Sequence, residues 1–537
     1  MVVPVPTGGW DQISPLSQMD PQYAPILLNW VPRPGFVELR GGYNVWAQGF
    51  TNTPVETLMV YRPPGGTDKM FAASNGTIYD VSTNGSPFSS STGYVNNRWQ
   101  YINFTPSLGN NYILIANGVD NAKTYNGTSW ASASITGLPN GITSIFNLLA
   151  FKQRIWLLTN NSTSAYYLPT SAISGAVTEF PLGPLMTRGG SLLAMGDWTI
   201  DGGQGPDDYL VFATTKGQYI VYKGTDPSNA NAFALVGVFD LPIPIGARCF
   251  ARVGSELAVI TLQGLIPISQ ALPYDPSGTR SVAFTNRIQN AMLEAAQSAY
   301  TNFGWKLTSF PLEGLLILNI PLITNSNQIQ FVMNNYTGAW CQFTGWNAND
   351  FCTFNESLYF GDNSGNVNLA YAGPLDLVSP ILADMQCAFN TFGDPGRVKN
   401  VTMCRPLIIA DGNIIPTMSV DEDFSDDAPS APLTILNPVG GEWDVSLWDS
   451  GIWSAGSNIN ASWLSTTAIG TYLAVRMQVN FGGVSSATSA GAGSVFDTGT
   501  FDNAVFDGNG ATTASGQSVP LLQVNALEVL LQGGGPI

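Results

Sequence analysis

Between Phe146 and Leu272 the chain sets short apolar runs back to back around tight polar turns, with almost no helical period between them. Leu148-Leu149-Ala150-Phe151 and Ile155-Trp156-Leu157-Leu158 flank Lys152-Gln153-Arg154. Tyr209 to Ala213 and Gln218 to Tyr222 flank Thr214 to Gly217, and Leu257 to Thr261 and Leu265 to Ile268 flank Leu262-Gln263-Gly264. Two β-rich runs joined by a short loop predict a hairpin. A hairpin cannot bury its faces alone, so its recurrence predicts sheets that cover one another by radial repetition.

The composition fits that pattern. With 57 Gly, 35 Pro, 11% aromatic and only 11% charged residues, the chain suits many short strands and tight turns. A length of 537 residues predicts two or three units. The net charge of −17 argues against gripping phosphates through a basic surface, though not against letting nucleic acid slide past.

Histidine is absent, which removes Ser-His-Asp and Cys-His nucleophilic catalysis, HExxH zinc sites and imidazole acid-base work together. Cys249, Cys341, Cys352, Cys387 and Cys404 show no CxxC spacing and are odd in number, so they read as buried small hydrophobes. No catalytic, cofactor-binding or metal-binding residue is assigned. The N-terminal residues carry no secretory pattern, and no run approaches the ~20 apolar residues of a membrane span. Sequons such as Asn75-Gly76-Thr77 therefore read as turn chemistry.

In chain order, residues 1–44 read as a Pro-rich extended arm. Residues 45–395 read as a β-propeller of about six irregular blades, interrupted by one helix near 283–301. There Phe284, Ile288, Ala291, Met292, Ala295 and Ala299 recur at helical spacing. Residues 396–537 read as a β-rich C-terminal domain. It opens with the acidic run Asp421, Glu422, Asp423, Asp426 and Asp427 after a strand at 416–420. It continues with aromatic-Asp pentads at Trp443, Trp448 and Trp453 and at Phe496, Phe501 and Phe506, and ends in a closing strand carrying Leu522, Val524, Leu527 and Val529. The fold class is all-β, with one notable helix.

Five segments carry a resemblance: Tyr112 to Trp130, Ser164 to Pro169, Thr199 to Phe212, Tyr222 to Ser228 and Val332 to Trp346. They are similar to the propeller-containing tail nozzle proteins of short-tailed bacteriophages, also called tail hub or packaged-DNA stabilisation proteins. The likeness runs from about residue 25 to about residue 425. It implies a structural virion protein without enzymatic activity, assembled in the host cytoplasm into a homo-hexameric ring of the tail. The implied partners are the head-to-tail connector, tail fibre, tailspike or tail needle proteins, and double-stranded DNA passing through the lumen without sequence reading. The host envelope is met indirectly. Because a wall of Lys and Arg would hold DNA back, part of the negative charge is expected to face the lumen. The densest acidic run nominates Asp421, Glu422, Asp423, Asp426 and Asp427 for it, against the competing reading of an ordinary solvated loop on the outer surface. The alternative is a β-propeller tail protein that binds or degrades glycans, with Asp201, Asp207 and Asp208 as the carboxylates a glycosidase would need.

Overall fold

A computed structural model describes residues 1–50, 52–106, 111–201, 206–410, 416–429, 431–432, 458–481 and 522–536. The chain divides into two compact units. One comprises Val45–Gly338 and Thr344–Leu369, and the other Met1–Asn44, Ala339–Phe343 and Ala370–Ile537. Both are built from strands, so the all-β expectation holds. The aromatic-Asp pentads lie outside the described residues.

The first unit is a succession of small sheets. Thr57–Tyr61, Lys69–Ser74, Thr77–Asp80 and Phe88–Thr92 form the first, and Gln100–Phe104, Tyr112–Ala116, Lys123–Tyr125 and Trp130–Ser132 the second. Four strands between Ile145 and Pro181 make the third, and four between Leu192 and Asp240 the fourth. Phe250–Val253, Glu256–Thr261 and Gly264–Pro267 make the fifth, and the sixth group of strands is the meander Lys306–Phe310, Leu315–Ile323 and Asn327–Asn334. The seventh joins Ala348–Phe354, Ser357–Asp362 and Asn366–Ala370 to the early strand Tyr43–Gln48, whose residues 45–48 belong to this unit.

Leading strands touch in sequence. Gln100–Phe104 packs on Ile145–Phe151, which packs on Leu192–Asp201, which packs on Phe250–Val253. That strand meets Lys306–Phe310, which meets Ala348–Phe354, and Ala348–Phe354 packs on Thr57–Tyr61 of the first sheet. Between the first two sheets, Thr57 Oγ1 donates to the Asn97 carbonyl at 2.7 Å and Asn103 Nδ2 to the Val60 carbonyl at 2.8 Å. Apolar faces fill the spaces between neighbours. Trp156, Leu158, Phe212, Ile220 and Phe233 form the core between the third and fourth sheets, and Val55, Leu58, Met70, Cys352 and Tyr359 that between the seventh and the first. Each such side chain contributes roughly 1.5–3 kcal/mol by leaving water.

The predicted hairpins are present. Ile145–Phe151 pairs with Arg154–Thr159, Pro206–Thr214 with Gln218–Gly224, and Glu256–Thr261 with Gly264–Pro267. Arg154 belongs to its strand, leaving the two-residue turn Lys152-Gln153, where both residues have positive φ (47° and 56°). A second such turn, Asn355-Glu356, has φ of 47° and 63°. Both match the type I′ turn, whose twist follows that of the strands.

The helix is shorter than its periodicity predicts. Short 3₁₀ stretches occupy Gly278–Val282 and Asn286–Ile288, and the α-helix runs Gln289–Ala299. Its buried Met292, Ala295, Ala296 and Ala299 face the strand Leu315–Ile323 and the fifth sheet. All five cysteines are buried and none forms a disulfide. Burial pushes the thiols of Cys249, Cys352, Cys387 and Cys404 up to about 12.

In the second unit, residues 1–44 contribute short strands to the sheets, among them Val2–Val3, Ile26–Leu28 and Phe36–Leu39. The long strand Arg397–Ala410 pairs with Leu522–Pro536 over most of its length, as a closing strand should. Leu522–Pro536 also pairs with Val2–Val3 and with Phe36–Leu39. In another sheet Ile26–Leu28, Ile381–Gln386, Leu473–Phe481 and Pro416–Glu422 lie side by side. The backbones approach closely at Gly42, where a Cβ would stand 1.9 Å from the Leu375 carbonyl oxygen.

Candidate functional site

The acidic run ends the strand Pro416–Glu422. In this sheet Asp384 lies opposite Gln478, and Gln478 opposite Thr417; one step along, Gln386 lies opposite Arg476, and Arg476 opposite Ser419. Because side chains alternate along a strand, these residues project from one face. The result is a polar patch around a single guanidinium. Arg476 holds both Asp384 oxygens, Nε to Oδ1 at 3.1 Å and Nη2 to Oδ2 at 2.7 Å, and its Nη1 reaches Asp426 at 2.5 Å and the Asp427 carbonyl at 3.3 Å. Gln478 Nε2 donates to Asp384 Oδ2 at 2.9 Å.

The five nominated acids separate into different environments. Asp421 is 3% exposed and accepts from Gln386 Nε2 at 2.6 Å and Ser419 Oγ at 3.1 Å. Burial raises its carboxyl above the ordinary range, against the lowering effect of those donors and of Arg476. It is therefore a core residue and leaves the set that could face an open lumen. Glu422, Asp423, Asp426 and Asp427 are exposed. Three of them also have local partners. Glu422 Oε2 accepts from the Ile469 amide at 2.7 Å, Asp423 Oδ1 accepts from the Thr471 and Tyr472 amides at 2.9 and 3.0 Å, and Asp426 pairs with Arg476. The run thus ties a turn to the hairpin at 464–481 while keeping carboxylate surface in solvent.

A second polar cluster lies inside the first unit, where leading strands meet. Asp350 is fully buried. Its Oδ1 accepts from Lys306 Nζ at 2.7 Å and stands 3.4 Å from Arg248 Nη1, while its Oδ2 accepts from the Leu58 amide at 2.9 Å. Arg248 Nη1 makes an ion pair here but lacks the alignment of a hydrogen bond. Arg248 Nη2 continues to Thr57 Oγ1 at 3.0 Å and the Trp99 carbonyl at 2.7 Å. One carboxylate thereby joins the first, second, fifth, sixth and seventh sheets. A buried charge held by two cations and an amide is compensated, and losing a partner would leave it uncompensated.

Sequence reasoning missed Arg476, Asp384, Arg248, Lys306 and Asp350. A signal existed for two of them, because Arg476 interrupts the apolar strand Leu473–Phe481 and Asp350 precedes Phe351-Cys352. Of the carboxylates weighed for hydrolysis, Asp208 pairs with Lys152 and accepts from Thr199 Oγ1 at 2.6 Å. Lys152, before Thr199, holds its carboxyl below the ordinary range, opposite to what a general acid needs. The side chains of Asp201 and Asp207 lie outside the described residues.

No family model matches the chain, and no curated protein matches it in sequence. Among solved structures it is similar to the computationally designed Ika8 protein, at 10% identity and a TM-score of 0.34, over 61% of this chain and 99% of that one. It is also similar to Raptor of Chaetomium thermophilum, at 12% identity and a TM-score of 0.38, over 62% of this chain and 29% of that one.

Proposed function

We propose that the chain is a structural subunit of a ring-shaped tail nozzle of a short-tailed bacteriophage, continuing the connector channel, retaining packaged DNA and conducting it during ejection. In this reading the unit at 45–338 and 344–369 is a β-propeller whose blades are the seven strand groups described above. The observation that carries it is the order of packing: each leading strand touches the next, the seventh touches the first, and the strand Tyr43–Gln48 completes the seventh from the far end of the unit. A rigid unit of that kind gives a subunit a fixed shape, which a closed ring of identical copies requires. The partners are five further copies, the connector above and fibre, tailspike or needle proteins below, and the location is the virion tail. Glu422, Asp423, Asp426 and Asp427 supply exposed negative charge for a wall that DNA passes without sticking.

The test is an image reconstruction of purified virions with antibody or tag labelling of this chain. Six copies in one ring beneath the connector is the expected result, and another symmetry or absence from the tail overturns the proposal. A reducing-sugar release assay on host polysaccharide distinguishes the glycan-degrading alternative, which predicts turnover where the nozzle predicts none.

A further inference from the structure

In a chain with a net charge of −17, one cavity of about 270 Å³ is lined by two arginines and no carboxylate. Its walls come from the segments that lead into the second, fifth and sixth sheets, carrying Arg98, Arg248 and Phe303. Both guanidinium groups sit over the Phe303 ring, their Cζ atoms 4.5 and 4.8 Å from its centroid. Stacking on one ring fixes two like charges near each other, an arrangement that repels in a medium of reduced polarity. Each has one carboxylate outside the lining: Glu56 meets Arg98 Nε at 3.0 Å, and Asp350 meets Arg248 Nη1 at 3.4 Å.

The two arginines differ in freedom. Arg248 is 12% exposed, and its Nη2 is committed to Thr57 Oγ1 and the Trp99 carbonyl. Arg98 is 40% exposed, and among the described residues only its Nε finds a side-chain acceptor, so Nη1 and Nη2 are open. Asn96, Gln100 and Asn117 add amide groups to the same wall. A planar guanidinium with two free nitrogens, held by a ring and backed by a second cation, matches the fork geometry that oxyanions accept.

We propose that this cavity binds a small oxyanion, a phosphate or carboxylate group, with Arg98 as the direct donor and Arg248 as the fixed positive background. The proposal is independent of the ring assembly.

The experiment is isothermal titration calorimetry of the full chain, at constant ionic strength, with inorganic phosphate in one arm and malonate in the other. Saturable binding with one site per chain is expected in at least one arm, and the arm that binds more tightly identifies the group. Arg98→Gln, verified as folded by circular dichroism, should weaken it at least tenfold. Glu56→Gln should tighten it, because the competing carboxylate is gone while the amide oxygen still accepts. No saturable heat in either arm, or equal affinity in Arg98→Gln, overturns the proposal.

Discussion

Arg40 and Asp376 lie side by side in the second unit, Nη1 to Oδ1 at 2.8 Å and Nη2 to Oδ2 at 2.6 Å, although 336 positions separate them. Arg40 is 1% exposed and its other donors reach Asn29 Oδ1 and the Gly41 carbonyl. This two-pronged contact ties the early strands to the segment that follows residue 370. Replacing Arg40 by Met should leave a buried carboxylate unpaired and cost about 3–5 kcal/mol. Adding Asp376→Leu should recover most of that loss, because two apolar groups need no partner. Urea titrations of the two variants check this, and a double variant no more stable than Arg40→Met would refute it.

Asp421 and Asp208 should give opposite pH dependences. The folded carboxyl of Asp421 is raised above 3.8, so its contribution to stability is full below that pH and is lost as pH rises through the folded value. Asp421→Asn should therefore gain on the parent as pH rises towards neutrality. Asp208 is lowered below 3.8, so its contribution is present above that pH and lost as pH falls through the folded value. Asp208→Asn should trail the parent near neutrality and approach it in acid. Unfolding midpoints measured across the acid range would decide, and two curves parallel to the parent's would exclude both assignments.

The turn Asn355-Glu356 holds two residues at positive φ without a glycine. Glu356→Gly turns the pair into Asn-Gly, the most favoured type I′ sequence, and relieves an αL strain of about 1–2 kcal/mol. The melting temperature of the variant should rise. A fall would mean that the extra freedom of the unfolded chain outweighs the relief.

Neutralising the exposed acids tests the proposed channel wall directly. The quadruple variant Glu422→Gln, Asp423→Asn, Asp426→Asn and Asp427→Asn keeps an acceptor oxygen at every position, so the turn should hold. Genome ejection from particles carrying it should slow, and more so at low salt, where the Debye length grows from about 10 Å to about 30 Å. Ejection at the parent's rate at every salt concentration would remove these residues from the channel wall.

What the sequence revealed was local. Alternating apolar runs around Lys152-Gln153 and Leu262-Gln263-Gly264 marked real hairpins, because strand period and turn chemistry are contained within a dozen residues. The helix began at Gln289 and not Ala283, since Ile288 sits at helical spacing while being held in a 3₁₀ turn and Phe284 lies in the turn before it. The acidic run was legible as charge following a strand, but nothing within it identified Arg476, about 50 residues on, as its anchor. The partners of Asp350 were illegible for the same reason: its cations come from Arg248 and Lys306, which only the packing of separate sheets brings together.

The pairing of Val2–Val3 with Leu527 and Glu528 has a consequence for biosynthesis. The Met1 amino group donates to the Val529 carbonyl across 528 positions, and Arg397–Ala410 meets its longest neighbour only at Leu522–Pro536. A ribosome delivers residues 45–369 as one nearly continuous stretch, so the small sheets can form while translation is under way. The other unit waits with open strand edges until Leu522–Pro536 emerges, and open edges recruit whatever strand comes near. The growing polypeptide therefore carries a finished half and an adhesive half, and nascent chains on one messenger stay exposed to mispairing until Leu522–Pro536 has emerged.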